Sequence, residues 1–246
     1  MHNKITPLYI LAKRKELGKI QVMDIDTINW IESNLNIKYS KIKKFVSKIS
    51  PMKIDKFIDV MPKLEWFHGR SHFDSIHGFN HLSRVIIYAH ILNLIKNKND
   101  CEKYLIAAGM HDVCRLNDKK DINHGIRSAK WILKNGEKFG LNKKNREEIF
   151  YMVKYHNIEL DKIPENIKDK FAQSILFLKT IDALDRYRLP KRSWWIDEKM
   201  LSLKLPEGIL NFAKNLVVET EKATIQENQS REEVFIAVCQ KLGLME

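Results

Sequence analysis

Chain breakers are scarce in this sequence, and their scarcity limits the folds that it can adopt. Only nine glycines and six prolines occur in 246 residues, while apolar residues recur at helical spacing over long segments. After Asn80, one such stripe comprises Leu82, Val85, Ile86, Ala89 and Leu92. Similar runs cover about 100–114, 124–135, 145–157, 165–188, 207–226 and 231–242. Because no segment alternates polar and apolar residues convincingly, the sequence predicts an all-α fold.

The composition predicts one main domain with a helical extension in front of it. Apolar residues make up 44% of the chain, which is enough for one substantial core. We expect the main domain to cover residues 66–246. Residues 1–65 differ, because "IKYSKIKKFVSKIS" combines aliphatic spacing with a lysine-rich face before Pro51 and Pro62 break the segment. That face is either a solvated helix surface or a contact for a nucleic-acid backbone.

The net charge favours anionic partners. The chain carries 43 basic and 31 acidic residues, a formal charge of +12, which attracts nucleotides, nucleic acid or phosphorylated metabolites at long range. No stretch approaches the roughly 20 apolar residues of a membrane span, and the apolar core of the opening "MHNKITPLYILAKRK" is too short for a secretory signal. The sequence therefore predicts a cytoplasmic protein without a membrane partner.

Histidines and aspartates stand among apolar neighbours in several predicted helices. In "AAGMHDVCRL", an apolar stretch carries His111 and Asp112 toward the interior, where an unpaired carboxylate would cost several kcal/mol. A bound cation offsets that cost, and His81 and Asp182 on other helices would complete a mixed set of nitrogen and oxygen ligands. Such a set suits Mn, Fe, Co, Ni or Zn.

The order of these residues resembles that of the HD superfamily of metal-dependent hydrolases. The pattern of that superfamily is a histidine, a His-Asp pair and a distant aspartate. It matches His81 in "HLSRV", the pair in "HDVCR" and Asp182 in "IDALD", across about residues 75–190. The resemblance implies an HD-domain helical bundle and a metal site at these residues.

Two further histidines fall where the dinuclear branch of that superfamily has additional ligands. His124 in "NHGIRSA" and His156 in "VKYHNIEL" lie between the His-Asp pair and Asp182. This order resembles the HD-type diadenosine tetraphosphate hydrolases and cyclic dinucleotide phosphodiesterases. The resemblance implies two divalent transition metal ions bridged by Asp112, which would make Asp112 a catalytic residue. The alternative is one ion, with His124 and His156 binding substrate phosphate or orienting water.

Basic groups near the ligands are candidates for substrate binding. Arg84 and Arg115 each lie about one turn after a ligand histidine, so we expect both at the rim of one cavity, or else in surface ion pairs. His77 precedes the first ligand helix, and Lys120 lies in the loop after the His-Asp pair. Arg186 begins "RYRLPKRSWW", whose cations and rings suit phosphates and bases, unless its tryptophans merely pack on the core.

Asp185 is the second candidate catalytic residue. It shares a helix face with Asp182 through the i, i+3 relation, and in the HD pattern this position often carries a second acid. We expect Asp185 to accept a proton from water or to hold a ligand histidine in one tautomer. A helix cap or an ion pair with Arg188 is the competing role.

Together these features predict a metal-dependent phosphohydrolase that cleaves a phosphoester or phosphoanhydride bond of a nucleotide or related substrate. A pair of divalent ions lowers the pKa of a bridging water and polarises the attacked phosphoryl group. Two other functions stay open. The same ligand order resembles the di-iron oxygenases of the superfamily, and the net charge with the lysine-rich start suits a noncatalytic nucleic-acid-binding protein.

Overall fold

The computed structural model describes residues 6–96, 102–197, 201 and 203–246. Over these residues the chain forms twelve α-helices and no β-strand, which confirms the predicted all-α fold. None of the described helices is both long and apolar enough to cross a bilayer. The helices are α1 (Leu8–Arg14), α2 (Ile25–Asn34), α3 (Tyr39–Val46), α4 (Ile54–Val60), α5 (Arg70–Phe73), α6 (Phe79–Ile95), α7 (Glu102–Met110), α8 (His124–Asn135), α9 (Lys143–Tyr155), α10 (Glu165–Leu184), α11 (Ile209–Gln226) and α12 (Arg231–Lys241).

Helix α6 lies at the centre of the bundle. Fourteen of its 17 residues are buried, and it packs against α7, α10, α11 and α12. A helix that is buried on nearly all sides has neighbours on every face. The polar residues of α6, among them His81 and Arg84, are therefore enclosed by protein.

The N-terminal helices pack onto the same core. Helices α2 and α3 contact α11, and α4 contacts α7. Ile28, Phe45 and Phe57 belong to one apolar cluster with residues of α6 and α11. Residues 6–65 thus cover two helices of the main bundle, and the boundary near residue 65 stays a prediction.

Three predicted helices end earlier than expected. Helix α9 ends at Tyr155, so His156 lies just after it and not inside the predicted run 145–157. The run over about 100–114 is helical from Glu102 to Met110, and its first two positions lie outside the described residues. His111 and Asp112 therefore lie in the turn after α7, not inside a helix as predicted. The reason is local, since the His111 side chain meets the Ala108 carbonyl at 2.9 Å and so partners a terminal carbonyl of the helix. Likewise α10 ends at Leu184 and continues as a 3-10 turn, Asp185–Arg188.

A close approach between α8 and α9 depends on Gly125. A Cβ at this position would lie 2.8 Å from Asn157 Oδ1 and 2.9 Å from the Val153 carbonyl oxygen. Because glycine lacks a side chain, the first turn of α8 can pack directly on the end of α9. This packing brings His124 and His156 together.

Candidate metal centre

All six predicted ligands lie at the ends of helices, and the structure brings them together. His81 and His124 lie in the first turns of α6 and α8, whereas Asp182 lies in the last turn of α10. The His-Asp pair follows α7 directly, and His156 follows α9. The cluster therefore combines side chains from five helices that are distant in sequence.

Four of these residues form the first half of the cluster. His81 Nε2 lies 3.2 Å from His111 Nε2, 4.0 Å from Asp112 Oδ2 and 3.4 Å from Asp182 Oδ1. His111 Nε2 is 3.7 Å from the same oxygen of Asp182. The two imidazoles are fully buried, while the Asp182 side chain is 30% exposed. Solvent therefore reaches this half of the cluster at Asp182.

The second half of the cluster shares Asp112 with the first. Asp112 Oδ1 lies 3.1 Å from His124 Nε2 and 3.5 Å from His156 Nε2, and these two nitrogens are 3.0 Å apart. Asp112 therefore presents one oxygen to each half of the cluster. Three overlapping groups meet the geometric requirement for holding an ion: His81 with His111 and Asp112, His111 with His156 and Asp182, and Asp112 with His124 and His156.

Each of the four imidazoles uses Nδ1 for a hydrogen bond directed away from the cluster. For His81 the acceptor is Asp185 Oδ2 at 2.9 Å. For the other three histidines it is the carbonyl three residues earlier in the chain. An acceptor at Nδ1 keeps the proton on that nitrogen. The Nε2 lone pairs therefore face one another across the cluster.

The donor set fits divalent transition metal ions. Asp112 Oδ1 is buried without a hydrogen-bond donor among the described residues, and a buried polar atom in that state is costly. The Nε2 atoms of His124 and His156 face each other at 3.0 Å while the Nδ1 atoms of both rings contact backbone carbonyls. Cations between these groups would satisfy the oxygen and the facing nitrogens, and imidazole with carboxylate suits the Mn-to-Zn series.

The electrostatic surroundings of Asp112, His81 and His156 favour the protonation states that bind metals. Burial raises the pKa of Asp112, but His124 and Arg115 lower it more, so the pKa lies well below its ordinary value. Burial lowers the pKa of His81 and that of His156, each to about 4. At neutral pH the carboxylate is therefore ionised and these imidazoles are neutral, as metal ligands must be.

His111 and Asp182 behave as a pair within the cluster. Burial lowers the pKa of His111, but Asp112 and Asp182 raise it more. Burial raises the pKa of Asp182, but His111 lowers it more. A bound cation would therefore compete with a proton held between these two groups.

A second buried network lies behind His81. Asp185 accepts two hydrogen bonds from Arg84, at 2.6 Å from Nε and 2.9 Å from Nη2. Arg84 Nη1 also donates to Glu221 Oε1 at 2.7 Å and to Thr220 Oγ1 at 3.0 Å. Arg84 is fully buried in this network and does not line the cavity. The prediction that places it at the cavity rim is therefore wrong, because α6 turns the guanidinium toward α11.

Asp185 is also fully buried and lies outside the cavity lining. Of its predicted roles, the geometry favours holding His81 in one tautomer over accepting a proton from water. The competing ion pair is present as well, since Arg188 Nη1 lies 3.4 Å from Asp185 Oδ2. Burial raises the pKa of Asp185, but Arg84 lowers it more, to about 2, so its carboxylate is ionised and accepts the imidazole proton.

A cavity of about 430 Å³ opens beside the cluster. Its lining combines four ligand residues with basic side chains, two of which were not predicted as binding residues. The ligands in the lining are Asp112, His124, His156 and Asp182, and the basic groups are His77, Arg115, Lys179, Arg186 and Arg188. Of the predicted binding residues, His77, Arg115 and Arg186 thus come together here. Lys120 instead lines a neighbouring cavity.

The predicted binding residues are held in place by further contacts. His77 lies in the turn ahead of α6, as predicted, and its Nδ1 is 2.9 Å from Asp118 Oδ1. Arg115 Nη1 donates to Asp112 Oδ2 at 3.2 Å. Arg186 Nε donates to the Trp194 carbonyl at 2.8 Å, although its side chain is largely exposed.

Lys179 and Arg188 are cavity residues that were not predicted as such from the sequence. Lys179 Nζ donates to the carbonyls of His156 and Ile158, at 2.9 and 2.7 Å. Its position one turn before Asp182 in "LKTID" is the signal that could have indicated it. Arg188, expected as an ion-pair partner of Asp185, is buried and also lines the cavity.

Comparisons with known proteins give no independent assignment. A scan of protein-family models, a search of curated proteins and a search of solved structures each found no match to this chain. A functional assignment therefore depends on the geometry and chemistry of the cluster and its cavity.

Proposed function

We propose that this chain is a metal-dependent phosphohydrolase of the HD type that acts on a nucleotide or a related phosphorylated small molecule. One observation carries the proposal: six His and Asp side chains converge beside a cavity with a basic lining, and Asp112 Oδ1 is buried among them without a hydrogen-bond partner in the described residues. The order of the six residues along the chain adds the resemblance to the dinuclear HD hydrolases.

The cluster suits the binding of two divalent cations. His81 and His111 form one group with Asp112, Asp182 lies 3.4 and 3.7 Å from these two imidazoles, and His124 and His156 approach the other oxygen of Asp112. Two divalent ions would supply a water of lowered pKa and positive charge at the phosphoryl oxygens. Asp112 belongs to two of the three candidate ligand groups and would therefore be the residue on which the centre depends most.

The cavity lining suits an anionic substrate. Arg115, Lys179, Arg186 and Arg188 reach this cavity, and such cations stabilise the negative charge that develops on a phosphoryl group. His77, oriented by Asp118, adds a further hydrogen-bonding group at the same wall. A cavity of about 430 Å³ lies within the usual range for small-molecule sites, which favours a nucleotide over a folded nucleic acid.

The test is purification without added metal, followed by elemental analysis and a nucleotide panel. The wild-type chain should retain transition metal and hydrolyse at least one phosphorylated substrate. Asp112→Ala should lose both properties. Asp169→Ala is a matched control, because Asp169 is an exposed residue of α10. A folded wild-type protein without stoichiometric metal, or an unchanged Asp112→Ala variant, would contradict the proposal.

An oxygenase is the second candidate function. The cluster contains four imidazoles and two carboxylates, a donor set that also suits iron. A hydrolase should work anaerobically with manganese, whereas an oxygenase requires iron and consumes oxygen. A noncatalytic nucleic-acid-binding protein would show salt-sensitive binding that survives Asp112→Ala, with no turnover of any phosphoester.

A further inference from the structure

The cavity of about 430 Å³ beside the His and Asp cluster is called the metal cavity. A second cavity of about 540 Å³ lies next to it. The two cavities share His77, Arg115, Arg186 and Leu189 in their linings. A molecule with its reacting phosphate in the metal cavity can therefore extend past these residues into the second one.

One wall of the second cavity is apolar and aromatic. Ala12, Leu17, Ile76 and Trp194 contribute to it. Arg186 Nε donates to the Trp194 carbonyl, and Lys191 Nζ lies 5.5 Å from the centre of the Trp194 ring. The Trp194 backbone is therefore held by Arg186, and its indole side chain lines the cavity, where it can stack on an aromatic group such as a nucleobase.

The remainder of the lining is mostly cationic. Lys15, Lys119 and Lys120 belong only to the second cavity, together with Lys191. Asp118 is the acidic residue of the lining, and its oxygens already accept the Gln21 N–H at 2.6 Å and contact His77 Nδ1 at 2.9 Å. The lysines thus face the cavity without a matching set of carboxylates. This charge suits a second anionic group on the same ligand.

The N-terminal segment completes this cavity through backbone hydrogen bonds. Asp118 N donates to the Lys19 carbonyl at 2.7 Å, and Ile76 N donates to the Gln21 carbonyl at 2.8 Å. Together with the Gln21–Asp118 bond, these contacts tie the segment after α1 to the turn that carries His77. The wall is therefore a built part of the fold that is connected to the metal cavity.

Lys15 occupies a backbone position that normally favours glycine. Among the described residues it is the one non-glycine residue with a positive φ, at 64°, and it ends α1 in the left-handed region. Glycine is the usual residue at such a helix end because it has no Cβ. A lysine placed there despite this cost is consistent with a need for positive charge at the cavity.

We propose that the second cavity binds the organic part of the substrate, namely an aromatic base together with a phosphate group other than the one that is cleaved. The substrate class is thus a nucleotide with two separated phosphate groups. This inference rests on the proposed phosphohydrolase function for the placement of the reacting phosphate. Residues 12–21 of the N-terminal extension then determine substrate specificity.

The test is calorimetric titration of the chelator-treated, metal-free protein with inorganic phosphate, AMP and adenosine 3′,5′-bisphosphate. Affinity should increase in that order. Trp194→Ala should weaken binding of both nucleotides about tenfold and leave phosphate binding unchanged. Lys15→Gly should weaken only the bisphosphate, about fivefold, as expected for loss of one cation near a phosphate.

Two controls separate a lost contact from a lost fold. Lys15→Gly relieves the backbone and should not lower the unfolding temperature, so weaker binding by this variant is not misfolding. Lys13→Ala removes the same charge from the same helix outside the cavity lining, and it should bind all three ligands as the wild type does.

The binding experiment can contradict the second-cavity proposal without contradicting the phosphohydrolase proposal, and the hydrolysis assay can do the reverse. Absence of nucleotide binding by the wild type, or wild-type affinities in both Trp194→Ala and Lys15→Gly, would overturn the second-cavity proposal even if the protein hydrolyses phosphoesters. The predicted pattern of binding, without hydrolysis by metal-loaded wild-type protein, would support the second cavity and contradict the phosphohydrolase function.

Discussion

Two buried polar networks lie on opposite sides of His81, and they differ in whether the chain itself satisfies them. Behind the imidazole, Arg84 binds Asp185 through two hydrogen bonds and Glu221 through a third. In front of it, Asp112 Oδ1 lacks a donor among the described residues and Nε2 atoms face each other.

This difference separates a structural network from a ligand site. Buried polar groups in native proteins are nearly always paired, so an unpaired one needs an explanation. The network behind His81 balances cations against anions within the chain. The network in front of it contains the Arg115–Asp112 hydrogen bond but leaves Asp112 Oδ1 without a donor, and a cation would satisfy that oxygen. His81 links the two, since its Nδ1 contacts Asp185 and its Nε2 faces the cluster.

Asp112→Asn is expected to have the largest effect on function with little effect on the fold. The change removes the carboxylate that both halves of the cluster share, so we expect loss of bound metal and a fall in hydrolysis of about 1000-fold or more. The free energy of unfolding of the metal-free protein should fall by only about 1 kcal/mol, because the amide oxygen can still accept the Arg115 hydrogen bond while the buried charge without a donor at Oδ1 is removed. Elemental analysis measures the bound metal, a phosphoesterase assay measures hydrolysis, and urea denaturation measures the free energy of unfolding. Two ions per chain in the variant would refute the prediction.

Arg84→Met tests the opposite side of the comparison. It leaves Glu221 buried without its cation and Asp185 with only the longer contact to Arg188 at 3.4 Å, so the free energy of unfolding of the metal-free protein should fall by about 3–5 kcal/mol. Arg186→Met removes an arginine that is largely exposed and should change it by less than about 0.5 kcal/mol. Equal urea midpoints for the two variants would mean that the network behind His81 does not stabilise the fold.

Asp185→Asn tests the link between the two networks. The amide cannot hold the His81 proton as a carboxylate does, so metal affinity should fall about 10- to 100-fold. Tyr88→Phe is the control, because the Tyr88 hydroxyl contacts Asp185 at 3.3 Å without touching His81. Competition with a fluorescent chelator gives both affinities. If Tyr88→Phe weakened metal binding as much as Asp185→Asn, the effect would reflect packing and not the imidazole tautomer.

Gly125→Ala tests whether helix packing sets the geometry of the cluster. Its Cβ would lie 2.8 Å from Asn157 Oδ1 and 2.9 Å from the Val153 carbonyl oxygen, so α8 must shift at a cost of about 1–3 kcal/mol. Gly136→Ala on the same hairpin meets nothing closer than 3.7 Å and should be tolerated. The measurement is the unfolding temperature of each variant with and without manganese. A metal-induced shift in Gly125→Ala equal to that of Gly136→Ala would show that the spacing is not critical.

Arg186→Ala should have the smallest effect and should act on the substrate alone. The guanidinium lies in both cavities, so its removal should raise KM for a phosphorylated substrate about tenfold. Bound metal should stay at the wild-type level, as measured on the same preparation by elemental analysis. A variant that lost metal would place Arg186 in the cluster itself and would contradict its role as a substrate contact.

The six clustered residues could be predicted because each carries its signal in its own neighbourhood. "HDVCR", "NHGIRSA" and "VKYHNIEL" place polar side chains beside apolar ones that face the core. Their order along the chain then indicates one site. The predicted helix around His111 was too long, because the imidazole bonds the Ala108 carbonyl and takes part in ending the helix.

The role of Arg84 could not be predicted in the same way. The sequence spacing shows that Arg84 lies one turn after His81, but it does not show toward which neighbouring helix the Arg84 side chain points. Thr220 and Glu221 on α11 decide that side, and they are distant in sequence. The second cavity could not be predicted from the sequence either, because the contacts of Lys19 and Gln21 with Asp118 join residues that are distant in the chain.

The most direct test of the metal centre is an anomalous difference map from crystals of the protein grown with manganese. We predict two peaks about 3.5–4 Å apart, one on each side of the Asp112 carboxylate, with His81 at the first and His124 at the second. Well-ordered side chains at these positions with no peak among them would contradict the metal centre.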